Sequence, residues 1–223
     1  GAFTVSLFAD SDLDGAGAIV DQGDVIDFGA NGGALRMTAG SGVGTTTTGR
    51  IEFVGSAGTI DLAAETSTSG GIFINGTGGA VLNVAAITTD LTTTTGLTTR
   101  GDAAASVGDL EIVNAGNISQ DAGATLDTQG AATIDSGNIT LQSTGGSVIL
   151  VESLDTSGAV DAASGNVTIT AAGQLTGLDI TTSGGADTGP GAQNAGSVTL
   201  SGGDVSIRNI TAVGGDDFGS NAA

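Results

Sequence analysis

Four stretches in the second half of the chain open with glycine and alternate apolar with small polar residues: "GDLEIV" at Gly108, "GNITLQ" at Gly137, "GNVTIT" at Gly165 and "GSVTLS" at Gly196. The starts lie 29, 28 and 31 residues apart. Repetition at such a period marks stacked supersecondary units, none of which can bury its apolar face alone. This repeat constrains the fold more than any other feature of the sequence.

Each unit has three apolar beats. The first is a short strand with two inward residues: Leu110 and Ile112, Ile139 and Leu141, Val167 and Ile169, Val198 and Leu200. The second centres on Ile118, Val148, Leu175 and Val205. The third has its own signature: "LDTQG" (126–130), "LDTSG" (154–158), "ITTSG" (180–184) and "ITAVG" (210–214). A polar loop of variable length then leads to the next unit, as expected where backbone lies at the surface. Residues 1–107 follow the same grammar less regularly, with short alternating runs such as "FTVSLFA" (3–9), "TIDLAA" (59–64) and "AVLNVAA" (80–86).

Composition narrows the choice. The 41 glycines and many threonines disfavour helix. The abundance of Val, Ile and Thr favours strands and argues against disorder. Three short strands per unit of 28–31 residues predict an all-β fold, a parallel β-helix (β-solenoid) whose coils stack at about 4.8 Å. The crossover preference predicts a right-handed coil, and the glycines are expected to supply positive φ at its corners. An antiparallel sandwich is the rival, but its strands would have no reason to resemble one another. Residues 1–223 read as a single solenoid segment, with less regular coils in 1–107 and four regular units in 108–223. The segment reads as an internal slice of a longer chain, since neither end offers an obvious polar cap.

With the units aligned, "GNITLQSTGGSVILVESLDTSG" (137–158) and "GNVTITAAGQLTGLDITTSGG" (165–185) resemble the repeat regions of bacterial filamentous-haemagglutinin-like exoproteins, including two-partner-secretion adhesins. "FTVSLFADSDLDGAGAIV" (3–20) is similar to another recurring coil of those proteins. The resemblance is good for 108–223 and looser for 1–107, and its motifs are generic to the coil type. It implies a right-handed parallel β-helix, an extracellular or bacterial cell-surface location, and attachment or matrix roles. The expected function is a structural or adhesive stalk, or a fibre-forming segment, that self-associates end to end or meets a host or surface glycan or protein.

Charge and residue absences set further bounds. Four arginines face 24 acids, with no Lys or His, for a net charge of −20. Phosphate backbones and anionic lipid would be repelled, so neither nucleic acid nor membrane is an expected partner. No apolar run is long enough for a membrane-spanning helix. Without His, Cys or Lys no ordinary partner activates a serine nucleophile, so the chain reads as a non-enzyme that requires no cofactor. A polysaccharide-active β-helix enzyme is the catalytic alternative. Against it, only Arg208 lies in the regular region and the aromatics are six phenylalanines, of which Phe3, Phe8, Phe28, Phe53 and Phe73 are expected in the core.

"DSDLDGAGAIVD" (10–21) is the sharpest constellation. Asp10, Asp12, Asp14 and Asp21 stand at positions one, three, five and twelve, with Gly15 at six, the oxygen-ligand spacing of a calcium loop. Its flanks are strand-like, and the alternative reading is an acidic turn between two strands. The calcium reading makes the chain a calcium-responsive adhesin module. Asp127 and Asp155 occupy the same place in adjacent units and would stack as carboxylates on one edge. Asn138 and Asn166 begin N-x-T sequons at unit starts, where a corner wants Asn in any case. "GGDD" at 214–217 lacks the repeated nonapeptide of calcium-binding rolls, and the threonine run 88–99 reads as edge strand or loop. Calorimetric titration with Ca²⁺ discriminates the two readings of 10–21. The calcium loop gives heat at millimolar calcium that an Asp12→Ala variant loses, whereas the bare turn gives none.

Overall fold

The computed structural model describes residues 2–9, 16–45, 49–68, 70–89, 92–99, 107–188 and 193–215. Its strands, in chain order, are β1 (Phe3–Phe8), β2 (Ile26–Gly29), β3 (Gly33–Ala39), β4 (Ile51–Gly55), β5 (Thr59–Thr66), β6 (Gly70–Thr77) and β7 (Val81–Val84). There follow β8 (Ala86–Thr89), β9 (Thr92–Thr95), β10 (Leu97–Thr98), β11 (Val107–Asn114), β12 (Ile118–Gln120), β13 (Leu126–Asp127) and β14 (Ile139–Ser143). The last are β15 (Val148–Ile149), β16 (Leu154–Asp155), β17 (Val167–Ala171), β18 (Leu175–Thr181), β19 (Val198–Ser201) and β20 (Val205–Thr211). Apart from the β8–β9 pair, every strand pairing is parallel, and the chain is an all-β solenoid of about six turns without a helix among the described residues.

Two parallel sheets face each other across the interior. One has seven strands in the order β19-β17-β14-β11-β6-β4-β2. Its inward positions stack like over like: Ile72, Leu110, Ile139, Val167 and Val198 form one column, and Ile74, Ile112, Leu141, Ile169 and Leu200 the next. The register offsets from Leu110 to Val198 are 29, 28 and 31 residues, which are the repeat spacings of the sequence. All of these side chains belong to one continuous core, Val198 and Leu200 at its partly buried edge. At about 4.8 Å per step, the six steps between seven strands span roughly 29 Å.

The second sheet holds the other two beats. In the coils that begin at Gly108 and Gly137 these are separate strands, β12 and β13, then β15 and β16. In the next two coils they fuse into single strands, β18 and β20, which pair along their length. Expectation and structure differ here because the residues between the two beats have dwindled until nothing interrupts the ladder.

The glycines that open the units do not serve positive φ. Every positive-φ glycine among the described residues lies at or before Gly123. Gly137, Gly165 and Gly196 instead form a column of close approach. A Cβ on Gly165 would sit 1.9 Å from the Gly137 carbonyl oxygen, and one on Gly196 1.9 Å from that of Gly165. The chain is too tightly stacked at this corner for any side chain, whatever the backbone angles.

A second device explains the threonine in the third-beat signature. Thr128, Thr156 and Thr182, all fully buried, donate their hydroxyls to the carbonyls of Gly137, Gly165 and Gly196. The amides of those glycines donate back to the same threonines' carbonyls. Thr99 makes the hydroxyl bond to Gly108. Each loop is thus cinched at its base, whether the clasped residues are 9 apart, as in the Thr128 and Thr156 loops, or 14 apart, as in the Thr182 loop. Beside the clasp runs a polar ladder. The Asn138 amide and side chain donate to Asp109 Oδ1, those of Asn166 donate to Asn138 Oδ1, and Ser197 donates to Asn166 Oδ1, at 2.8–2.9 Å. Asn138 and Asn166 are corner residues, as read from their positions.

The phenylalanines divide. Phe28 and Phe53 are core, in an edge-to-face pair with centroids 6.3 Å apart. Phe3 stacks on Phe28 but is 43 % exposed, and Phe8 is 54 % exposed. Phe73 is also buried, although it alternates with Ile72 and Ile74 and so lies on the opposite face of β6. Alternation along β1 turns Phe8 outward, whereas Phe3 is in phase with the inward Val5 and Leu7 and is exposed because β1 is the edge strand of its sheet.

The layered interior makes Ile169 and Thr170 a sensitive pair of probes. Ile169→Ala, within the column, is expected to cost about 2–5 kcal/mol of unfolding free energy. Thr170→Ala, one residue on and facing out, is expected to stay within about 0.5 kcal/mol. Urea denaturation of the two variants checks this.

Candidate functional site

The second sheet forks. Its second-beat and third-beat positions lie 4 residues apart at Gly33–Met37 and Ile60–Ala64. The separation becomes 15 at Leu82–Leu97, 8 at Ile118–Leu126 and 6 at Val148–Leu154, then 5 at Leu175–Ile180 and Val205–Ile210. One strand, β5, pairs with both β7 and β10, and one strand, β18, pairs with both β15 and β16. Between them two branches run separately, β7-β12-β15 and β10-β13-β16.

The residues inserted at the widest point form the hairpin β8–β9, an isolated antiparallel pair. It packs against β5. Thr94 accepts a 2.7 Å hydrogen bond from Arg36 Nε, and both residues are buried. Arg36 alternates with the core residues Leu35 and Met37, so its guanidinium lies on the outer face of β3 and the hairpin covers it. Phe8 supplies a second wall, with Arg36 Cζ 4.9 Å from its ring centroid, a cation–π distance. The described residues of the threonine run 88–99 therefore belong to the β8–β9 hairpin and to β10, and Thr94 shields a cation.

Where the branches part, a groove of about 370 Å³ opens, lined by Gly123, Thr125, Leu126, Gln129, Ser153 and the carboxylates of Asp127, Glu152 and Asp155. Its mouth is tied across. Gly123 N–H donates to Glu152 Oε1 at 2.7 Å, and the buried Gln120 receives the Glu152 amide at 3.2 Å while donating to Ala124 O. Asp127 and Asp155 are register partners, as their matching places in the repeat predict. Each folds onto its own turn: Asp127 Oδ1 accepts from Gln129 N–H, and Asp155 Oδ1 from Ser157 N–H. Those bonds use one oxygen of each carboxylate, and the two stacked charges repel.

The sequence-predicted calcium residues are only partly placed. Asp10, Asp12 and Asp14 lie outside the described residues. Asp21 is half-buried, and its Oδ1 accepts the Gly23 amide at 2.7 Å. The "GGDD" acids Asp216 and Asp217 also lie outside the described residues. Among the described residues no group of three or more His, Cys, Asp or Glu is arranged to hold a metal ion.

A further acid, Asp161, sits in the loop clasped by Thr156. Its carboxylate accepts the Thr188 amide at 2.6 Å and the Thr188 hydroxyl at 2.7 Å from the next coil. The Thr188 amide first, then its hydroxyl, holds the Asp161 carboxyl below the usual carboxylate range. On the fused strands, Asp179 takes both Nε and a terminal nitrogen of Arg208 in a fork, and this pairing likewise lowers Asp179. Arg50 pairs with Glu111.

Sequence reading picked out Asp127 and Asp155 but missed Gln120, Gly123 and Glu152. The signal was present: the interval between second and third beats shrinks from coil to coil, so residues must leave the ladder somewhere. No protein-family model, curated protein or solved structure matches the chain.

Two measurements follow. Asp127→Asn keeps the turn's acceptor oxygen and removes one of two stacked charges. It is expected to raise the melting temperature at low salt, with the gain fading toward 1 M NaCl, where the Debye length is about 3 Å. Because the Asp161 carboxyl is lowered, the Thr188 contact stabilises the fold above the ordinary carboxylate pKa and is lost as pH falls through the folded value. An NMR titration should find Asp161 below the ordinary range, and Thr188→Ala, which keeps the amide, should return it part of the way.

Proposed function

We propose that this chain is a structural or adhesive stalk, or fibre-forming segment, of a secreted or surface-attached bacterial exoprotein, acting without catalysis. The observation that carries the reading is the unbroken parallel register from Ile72 to Val198, with every coil hydrogen-bonded to the next. A hydrogen-bonded stack of this kind is stiff because each inner strand is held on both edges. Its clasped loops leave few extended segments for a protease. The acidic exterior, with Arg50 and Arg208 already paired, keeps the surface repulsive toward like surfaces. The likeness of 137–158 and 165–185 to filamentous-haemagglutinin-like coils supports the same class of role and an extracellular setting.

Function in this reading rests on geometry: the coils set a distance and present a face, and whatever adheres does so through outward residues and loops. Limited proteolysis combined with a polysaccharide depolymerisation screen tests it. The expected result is cleavage confined to loops, intact coils, and no released oligosaccharide. Release of oligosaccharide that Asp127→Asn or Asp155→Asn abolishes would replace the stalk with an enzyme.

A further inference from the structure

Two asparagines in this chain precede glycine, Asn31 and Asn75. An asparagine–glycine pair can react within itself, because glycine offers no side chain to hinder its amide. The Gly nitrogen attacks Cγ of the asparagine, a new N–Cγ bond closes a five-membered succinimide, and Nδ2 leaves as ammonia with the displaced proton. Water then adds at either imide carbonyl and reopens the ring, giving an aspartyl or an isoaspartyl residue. Solvent water is the sole co-reactant. The reaction is intramolecular, so its rate is set by whether the backbone can bring the amide nitrogen over the side chain.

The fold treats the two pairs differently. Asn75 and Gly76 lie inside β6, which is paired on both edges: Asn75 with Glu52 and Val113, Gly76 with Phe53 and Asn114. Asn75 Nδ2 is further held by Glu52 Oε1 at 3.1 Å. Closing a ring at Asn75 would break the ladder on two sides and release the Glu52 bond. Asn31, by contrast, is exposed in the turn between β2 and β3, outside any strand, and its side chain makes no hydrogen bond among the described residues. Gly32, with φ of 69°, follows it in that turn; it is buried like Gly76 but lies before β3 and has no strand partner.

We infer that Asn31 is a site of spontaneous backbone modification in the folded protein and that Asn75 is protected by its place in the ladder. The consequence falls on the stack. The turn at Asn31 lies against the next coil, where a Cβ on Gly32 would sit 2.0 Å from Thr59 O and one on Gly58 3.0 Å from the Asn31 carbonyl carbon. An isoaspartyl link adds a methylene to the main chain at that contact, so the turn must lift away from Gly58 and Thr59. Either product also adds a carboxylate to an already acidic chain.

The test is peptide mapping by mass spectrometry, with isoaspartyl-specific enzymatic methylation, after incubating the whole chain at mildly alkaline pH. One sample is native and a second is unfolded in guanidinium chloride. In the native sample Asn31 is expected to convert while Asn75 stays an amide. In denaturant both are expected to convert at similar rates, which shows that the fold supplies the protection. Asn31→Ser should remove the native conversion without altering the β-sheet circular dichroism. Conversion of Asn75 at the pace of Asn31 in the native sample overturns the inference. So does an Asn31 that stays intact when folded.

Discussion

Hydrogen bonding in register between successive parallel coils is the constraint on which the rest of this structure depends. Each strand in the interior shares its backbone with the coil before it and the coil after it, so no helix is needed to satisfy the amides. Register then dictates chemistry. A position that faces inward in one coil faces inward in all, and Ile72, Leu110, Ile139, Val167 and Val198 are apolar for that one reason. The same stacking forbids a Cβ where the chain passes closest to itself, which is why Gly137, Gly165 and Gly196 recur.

A ladder this regular still has to absorb insertions, and the chain does so at two places. On the loop edge, the threonine–glycine clasp separates loop length from coil geometry, so a loop of any size leaves the next strand in register. On the second sheet, extra residues are expelled by letting the sheet part around them. The largest insertion folds back as a hairpin over Arg36, and the smaller ones rim the groove of Asp127, Glu152 and Asp155. Features that differ from coil to coil are therefore confined to the outside, while the interior columns stay uniform.

Much of this was legible in the residues. The apolar beats at 139, 167 and 198 announce the columns, and their intervals equal the pairing offsets. Stacking of Asp127 on Asp155 followed from the same alignment. What could not be read were properties that arise between coils. The reason for glycine at 165 is a carbonyl oxygen 28 residues away, not its own torsion. The role of Thr156 is a bond across a loop whose closure no local pattern reveals. Phe8 looks like core by composition, yet it lies on the outer face against Arg36, because the alternation of β1 is fixed by its pairing with β3. The hairpin was hidden by low complexity: a run of threonines suits an edge strand, a loop or a hairpin equally well.

Paired cysteines test the central claim most directly, since the chain has none of its own. Thr140 and Thr168 are register partners on the outer face of the seven-stranded sheet. Neighbouring strands there lie about 4.8 Å apart, within the roughly 4.4–6.8 Å that a disulfide spans between Cα atoms. With Thr140→Cys and Thr168→Cys together, mild oxidation should close an intramolecular disulfide in nearly every molecule. The pair Thr140→Cys and Ile169→Cys, one residue out of register and on opposite faces, should stay reduced. A disulfide in the second pair but not in the first would mean that the coils are not stacked as described.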